Sequence, residues 1–120
     1  MNDVGLGQVV LNGGIRVFIA NRPPLDIYQQ MDDCLPMVLG EIAEIAQLTG
    51  NHWRKIFNVY AKIMFALLGP YNQLSSDIDT WQEYRDKTLL RDSSQTALLF
   101  SKPNLSALNL DQTQSIKPKT

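Results

Sequence analysis

The chain has little of what most small-protein chemistry is built from. Its 120 residues contain one cysteine, Cys34, and one histidine, His52. That excludes a disulfide framework and any zinc site made from Cys and His of a single chain. Neither charge sign dominates: 11 Lys and Arg stand against 12 Asp and Glu, a formal net charge of −1, so bulk charge argues against nucleic acid and gives no reason to expect an anionic membrane surface. The most apolar stretch, Val59 to Leu68, is interrupted by Lys62 and is too short for a bilayer span. Before Arg16 there is no basic residue and no long apolar run, so no signal peptide is expected and the expected setting is the cytoplasm, with Cys34 reduced and packed as a small core residue.

What is present is enough for one packed domain. Hydrophobic residues make up 44% of the chain and charged residues 19%, which is a globular and not a disordered composition. We expect that domain over 1–103. Residues 104–120 dilute Leu105, Leu108, Leu110 and Ile116 with Asn, Gln, Ser and Lys, and are expected to form a polar, unstructured tail.

Val9–Leu11 and Ile15–Ala20 flank Asn12-Gly13-Gly14, which predicts a hairpin; Arg22-Pro23-Pro24 then ends the second strand. Ile27, Met31, Cys34, Leu35 and Val38 recur at steps of three and four and predict a first helix, capped by Asp26 and ended near Pro36, which opens a second helix running to Thr49-Gly50. Asn51 reads as the N-cap of a third helix over His52–Leu68, about 26 Å long by the helical rise. Ser76 with Asp79 resembles a capping box before a weaker fourth helix through Ile78, Trp81, Tyr84, Arg85 and Leu89. Thr96–Phe100 is a continuous apolar run that predicts a strand buried on both faces.

The expected fold is therefore α/β or α+β and helix-rich, with four helices on a two- to three-stranded sheet. Its competitor is a purely helical bundle. If the first and last strands are neighbours, their long connection makes them parallel. An unprotected edge on Thr96–Phe100 or on the hairpin would favour a homodimer.

Three segments carry a resemblance: Asn51-His52-Trp53-Arg54-Lys55-Ile56-Phe57-Asn58-Val59-Tyr60-Ala61-Lys62, Trp81-Gln82-Glu83-Tyr84-Arg85-Asp86 and Ala97-Leu98-Leu99-Phe100-Ser101. They are similar to a small family of uncharacterised bacterial proteins, over about residues 15–103. The resemblance implies no activity and no catalytic residue. Family members continue with further strands where this chain turns polar after Pro103, which is compatible with a C-terminally shortened version. A fainter likeness is to the first half of uracil-DNA-glycosylase-like folds, resting on the strand-end loops Asn21-Arg22-Pro23 and Ser101-Lys102-Pro103-Asn104.

The candidate site is an anion site. His52, Arg54 and Lys55 fall in the first turn of the third helix beside Asn51, and Arg22 follows a strand, so Arg22, Asn51, His52, Arg54 and Lys55 are the residues expected to hold a phosphate-like group. The favoured reading of Arg54 and Lys55 themselves is as solvated charges on that helix, paired with the acidic Asp26–Thr49 segment. Asp77 with Asp79, and Asp32 with Asp33, are better read as local helix and turn chemistry than as metal ligands, and no cofactor is expected. Gly5-Leu6-Gly7 and Asn12-Gly13-Gly14 lack the pattern of a nucleotide loop. A non-enzymatic interaction or structural domain is the favoured function; a small enzyme or phosphate-binding protein using the strand-end loops is the alternative.

Overall fold

A computed structural model describes residues 3–10, 13–69 and 74–100. Its elements, in chain order, are β1 (Gly5–Gly7), β2 (Ile15–Phe18), α1 (Asp26–Gln29), β3 (Cys34–Leu35), α2 (Glu41–Thr49), α3 (Asn51–Leu68), α4 (Trp81–Lys87) and β4 (Thr96–Leu99). The architecture is α+β, with four helices as expected and a sheet of four strands, wider than the two or three expected.

The strand order is β2-β4-β1-β3. Thr96 to Leu99 are all buried, so the apolar run does form an inner strand. It runs parallel to β2, with Ile15 opposite Thr96 and Phe18 opposite Leu99, and antiparallel to β1. Among the described residues the expected hairpin is absent: β1 lies at Gly5–Gly7, Val9 and Val10 belong to no strand, and β1 and β2 bond to opposite sides of β4. Among the described residues the free edges belong to β2 and β3, not to β4. The tail expected from Asn104 onward lies outside the described residues.

Helical spacing misled over Ile27–Val38. The helix stops after Gln29, where the Arg22 guanidinium donates to the carbonyls of Tyr28, Gln29 and Met31, each at 2.9 Å, and takes up the C-terminal acceptors. The Asp33 carboxylate accepts from the Cys34 amide at 2.8 Å, and Cys34 and Leu35 then pair in parallel with β1. Pro36 offers no N–H to a ladder, which suits the residue that follows this two-residue edge strand. It does not open α2, which begins at Glu41.

α3 ends at Leu68, as its periodicity indicates, but Asn51 is its first helical residue and Gly50 its N-cap. α4 is capped by Thr80 and Glu83 in place of Ser76 and Asp79: the Thr80 hydroxyl accepts from the Glu83 amide at 3.1 Å and the Glu83 carboxylate accepts from the Thr80 amide at 3.2 Å. Glutamate reaches back where aspartate is too short, so the box starts four residues later.

The core lies between the sheet and α2, α3 and α4. Trp53, Phe57, Tyr60, Ala61 and Met64 form the buried stripe of α3, joined by Leu6, Ile45, Tyr84, Leu89, Leu90 and Leu98. Tyr60 ties helix to sheet by donating its hydroxyl proton to the Ala97 carbonyl at 2.9 Å. No helix among the described residues is long and apolar enough to cross a membrane.

Candidate functional site

α3 carries a second apolar stripe beside the buried one. His52, Lys55, Ile56, Val59, Ile63 and Leu67 recur at steps of one, three and four, so they share one helical flank. This flank faces β2. Together they line an open trench of about 490 Å³, closed on the other side by Ile15, Val17, Phe18 and Ile19 and floored by Tyr60, Met64 and Leu98. Every lining residue except His52 and Lys55 is aliphatic, aromatic or methionine.

The trench is apolar yet open. Val59, Ile63 and Leu67 are 54%, 52% and 50% exposed, and Ile15, Val17 and Phe18 lie on an edge strand whose four residues are all exposed. Isolated exposed apolar residues are ordinary, but six lining one trench are a patch of the kind that marks an interaction surface. The trench has polarity. Phe100, adjoining the end of β4, packs edge-to-face on Trp53 at 6.4 Å, and the Ile19 amide donates to the Leu99 carbonyl, so Phe18 and Ile19 lie toward the His52 end. Ile15, Met64 and Leu67 form the other end, where the trench meets a second cavity of about 480 Å³ lined by Tyr84, Ser94 and Gln95 among others.

The five residues of the expected anion site are distributed over different surroundings. Arg22 is occupied by the three α1 carbonyls and lies over the Phe100 ring at 5.8 Å. Arg54 donates to the Asn51 side chain at 2.9 Å and lines a separate cleft with Phe57, Asn58, Arg85 and Asp86. His52 and Lys55 alone of the five line the trench. Helical geometry explains the split: Arg54 and Lys55 are neighbours in sequence and so point about 100° apart on the helix. The trench is not evident from periodicity alone, because Ile63 and Leu67 fall at helical spacing with the buried face as well. The signal that identifies it is the second stripe, offset by one residue from Trp53, Phe57, Tyr60 and Met64.

Three buried tyrosines surround the core. Burial raises the Tyr84 phenol to about 12, with the Thr96 hydroxyl pulling weakly the other way. Burial is also the main cause of the upward shifts of Tyr28 and Tyr60; in Tyr28 the Glu41 carboxylate, which accepts its proton at 2.6 Å, adds to it. The native state therefore holds phenolic protons that the unfolded chain releases from its ordinary value of 10.0 upward. Stability is fully present below pH 10 and falls as pH rises above it; Tyr84 alone accounts for about 2 kcal/mol by pH 12. The Tyr84 hydroxyl has no proper hydrogen-bond partner among the described residues, since the Thr96 hydroxyl is directed to Ser94 at 2.8 Å. Tyr84→Phe should thus change stability at pH 7 by less than about 1 kcal/mol while flattening the alkaline loss. Urea midpoints at about pH 7, 10 and 12 check both, and equal alkaline slopes for the two proteins would contradict the assignment.

The chain belongs to DUF6942, a family of unknown function whose model matches residues 4–117. The match is longer than the segment of 15–103 that carries the resemblance. No curated protein and no solved structure matches the chain.

Proposed function

We propose that this DUF6942 chain is a non-enzymatic binding domain that holds an apolar partner in the trench between α3 and β2. The observation that carries the reading is the alignment of exposed Val59, Ile63 and Leu67 with exposed Ile15, Val17 and Phe18 across one trench. Leaving that much apolar surface in water is unfavourable by roughly 25 cal/mol per Å², so covering it supplies the driving force for association. The lining supports holding over turnover, because aliphatic walls bind by shape and desolvation and offer few groups to transfer protons.

We also propose a bacterial cytoplasmic setting, where thiols stay reduced. Cys34 suits that setting: burial first, then the Asp3 and Asp33 carboxylates, push its thiol upward, away from the reactive thiolate. Its Sγ–H is directed to the Gly7 carbonyl at 3.5 Å.

Binding of a neutral apolar dye, Nile red, tests the reading. Ile63→Asp replaces a half-exposed side chain and should leave folding stability within about 0.5 kcal/mol, yet it places a charge in the trench and should abolish dye binding. Leu39→Asp, at a residue 78% exposed and outside the trench, should bind dye like the unmodified chain. Equal binding by all three proteins would remove the trench as the binding surface.

A further inference from the structure

Within its own lining the trench is polar at one end only. His52 and Lys55 stand at the N-terminal end of the α3 stripe, and from Ile56 to Leu67 the lining offers only apolar surface, since the one hydroxyl there, that of Tyr60, is directed to the Ala97 carbonyl. The ion pairs among the described residues are Arg85 with Asp86 and Lys87 with Asp77, so Lys55 takes part in neither. An ammonium with no carboxylate partner among the described residues, at the end of an aliphatic trench, is complementary to a molecule with one anionic end and a long apolar body.

Dimensions narrow the class. The stripe from His52 to Leu67 extends about 22 Å along the helix, long and narrow, and the volume of about 490 Å³ falls within the range of small-molecule sites. A polypeptide laid in it would bury backbone N–H and C=O groups against the α3 wall, whose side chains from Ile56 to Leu67 cannot bond them. An unbranched alkyl chain has no such groups. We propose that the trench binds a long-chain fatty acid, with its alkyl chain along Ile56, Val59, Ile63 and Leu67 and its carboxylate at Lys55 and His52. The proposal rests on the binding-domain reading and adds the ligand class and its orientation. It also retains, from the wider anion site, the two residues that share one surface.

The test uses the full chain freed of lipid, with palmitate, hexadecanol and hexadecyltrimethylammonium competing against Nile red. These probes share an alkyl chain and differ in the charge of the head. Palmitate should displace the dye at a concentration at least about tenfold lower than hexadecanol, the scale of a charge-assisted hydrogen bond, and the cationic amphiphile should be weakest. Lys55→Glu should erase the advantage of palmitate over hexadecanol, and Lys55→Arg should keep it. If the three amphiphiles compete equally while Ile63→Asp still abolishes dye binding, the fatty-acid inference is overturned and the binding-domain reading stands. If Ile63→Asp leaves dye binding unchanged, both fall. Dye that enters only when the full chain carries Leu105→Lys and Leu108→Lys would show that residues 104–120 cover the trench, and dye that enters only as a dimer dissociates on dilution would show that a second copy does. Either result overturns the proposal.

Discussion

Gly7→Ala is expected to cost more than about 4 kcal/mol, enough to remove the folded state of a marginally stable domain. Two features act at this residue. Its φ is +107°, a backbone region that side chains other than glycine rarely adopt, and a Cβ built there falls 2.2 Å from the Thr96 carbonyl oxygen and 2.9 Å from the Ala97 Cα. Both obstacles are backbone atoms of the inner strand β4, so no rotamer change relieves them. Gly5 isolates the steric part: its φ is outside that region, but a Cβ there meets the Leu98 carbonyl oxygen at 2.1 Å, and Gly5→Ala should be about as damaging. Gly13 isolates the conformational part, with a φ of +76° and open space around it, so Gly13→Ala should cost only about 1 to 2 kcal/mol. Denaturant melts of the three variants check this order. Equal, small losses at all three positions would mean that β1 does not pack against β4 as closely as described.

Phe57→Ala should cost about 3 to 5 kcal/mol, the range for deleting a fully buried aromatic side chain. The ring is 0% exposed, lies 5.9 Å from the Trp53 ring at a 45° tilt, and sits on the face of α3 that the rest of the core packs around. Both the lost transfer free energy and the cavity left beside Trp53 contribute. A loss below about 1 kcal/mol in a urea melt would contradict the placement of α3 at the centre of the core.

Those two residues also show what can be read from the chain and what cannot. The buried face of α3 is legible because eighteen residues without a proline or glycine repeat one stripe, and the long apolar run of β4 is legible because a strand buried on both faces needs no alternation. The parallel pairing of β2 with β4 follows from the long connection between them. β1 is not legible. Gly-Leu-Gly has no strand propensity, and its place in the sheet comes from the close approach that two missing Cβ atoms allow, a tertiary property. β3 is hidden for the opposite reason, since Cys34 and Leu35 fit a helical spacing until Arg22 takes the α1 carbonyls and Gly5 and Leu6 offer a partner strand.

The candidate site was half legible. Lys55 and His52 stand out in the sequence by charge and position, but grouping them with Arg22 and Arg54 rests on closeness in sequence and on a strand-end loop. Side-chain direction separates them: Arg54 faces the cleft beside Arg85, while Lys55 faces β2. The trench emerges only once β2 is known to lie beside α3, because Ile63 and Leu67 look the same in sequence whether they are covered or open.

Methyl NMR of the full chain titrated with palmitate tests the central claim most directly. The account predicts shifts at Val17, Val59, Ile63 and Leu67, which line the trench, with Val38 and Leu39, exposed elsewhere, left in place. Shifts confined to Val38 and Leu39, or a spectrum that palmitate leaves unchanged, would contradict it.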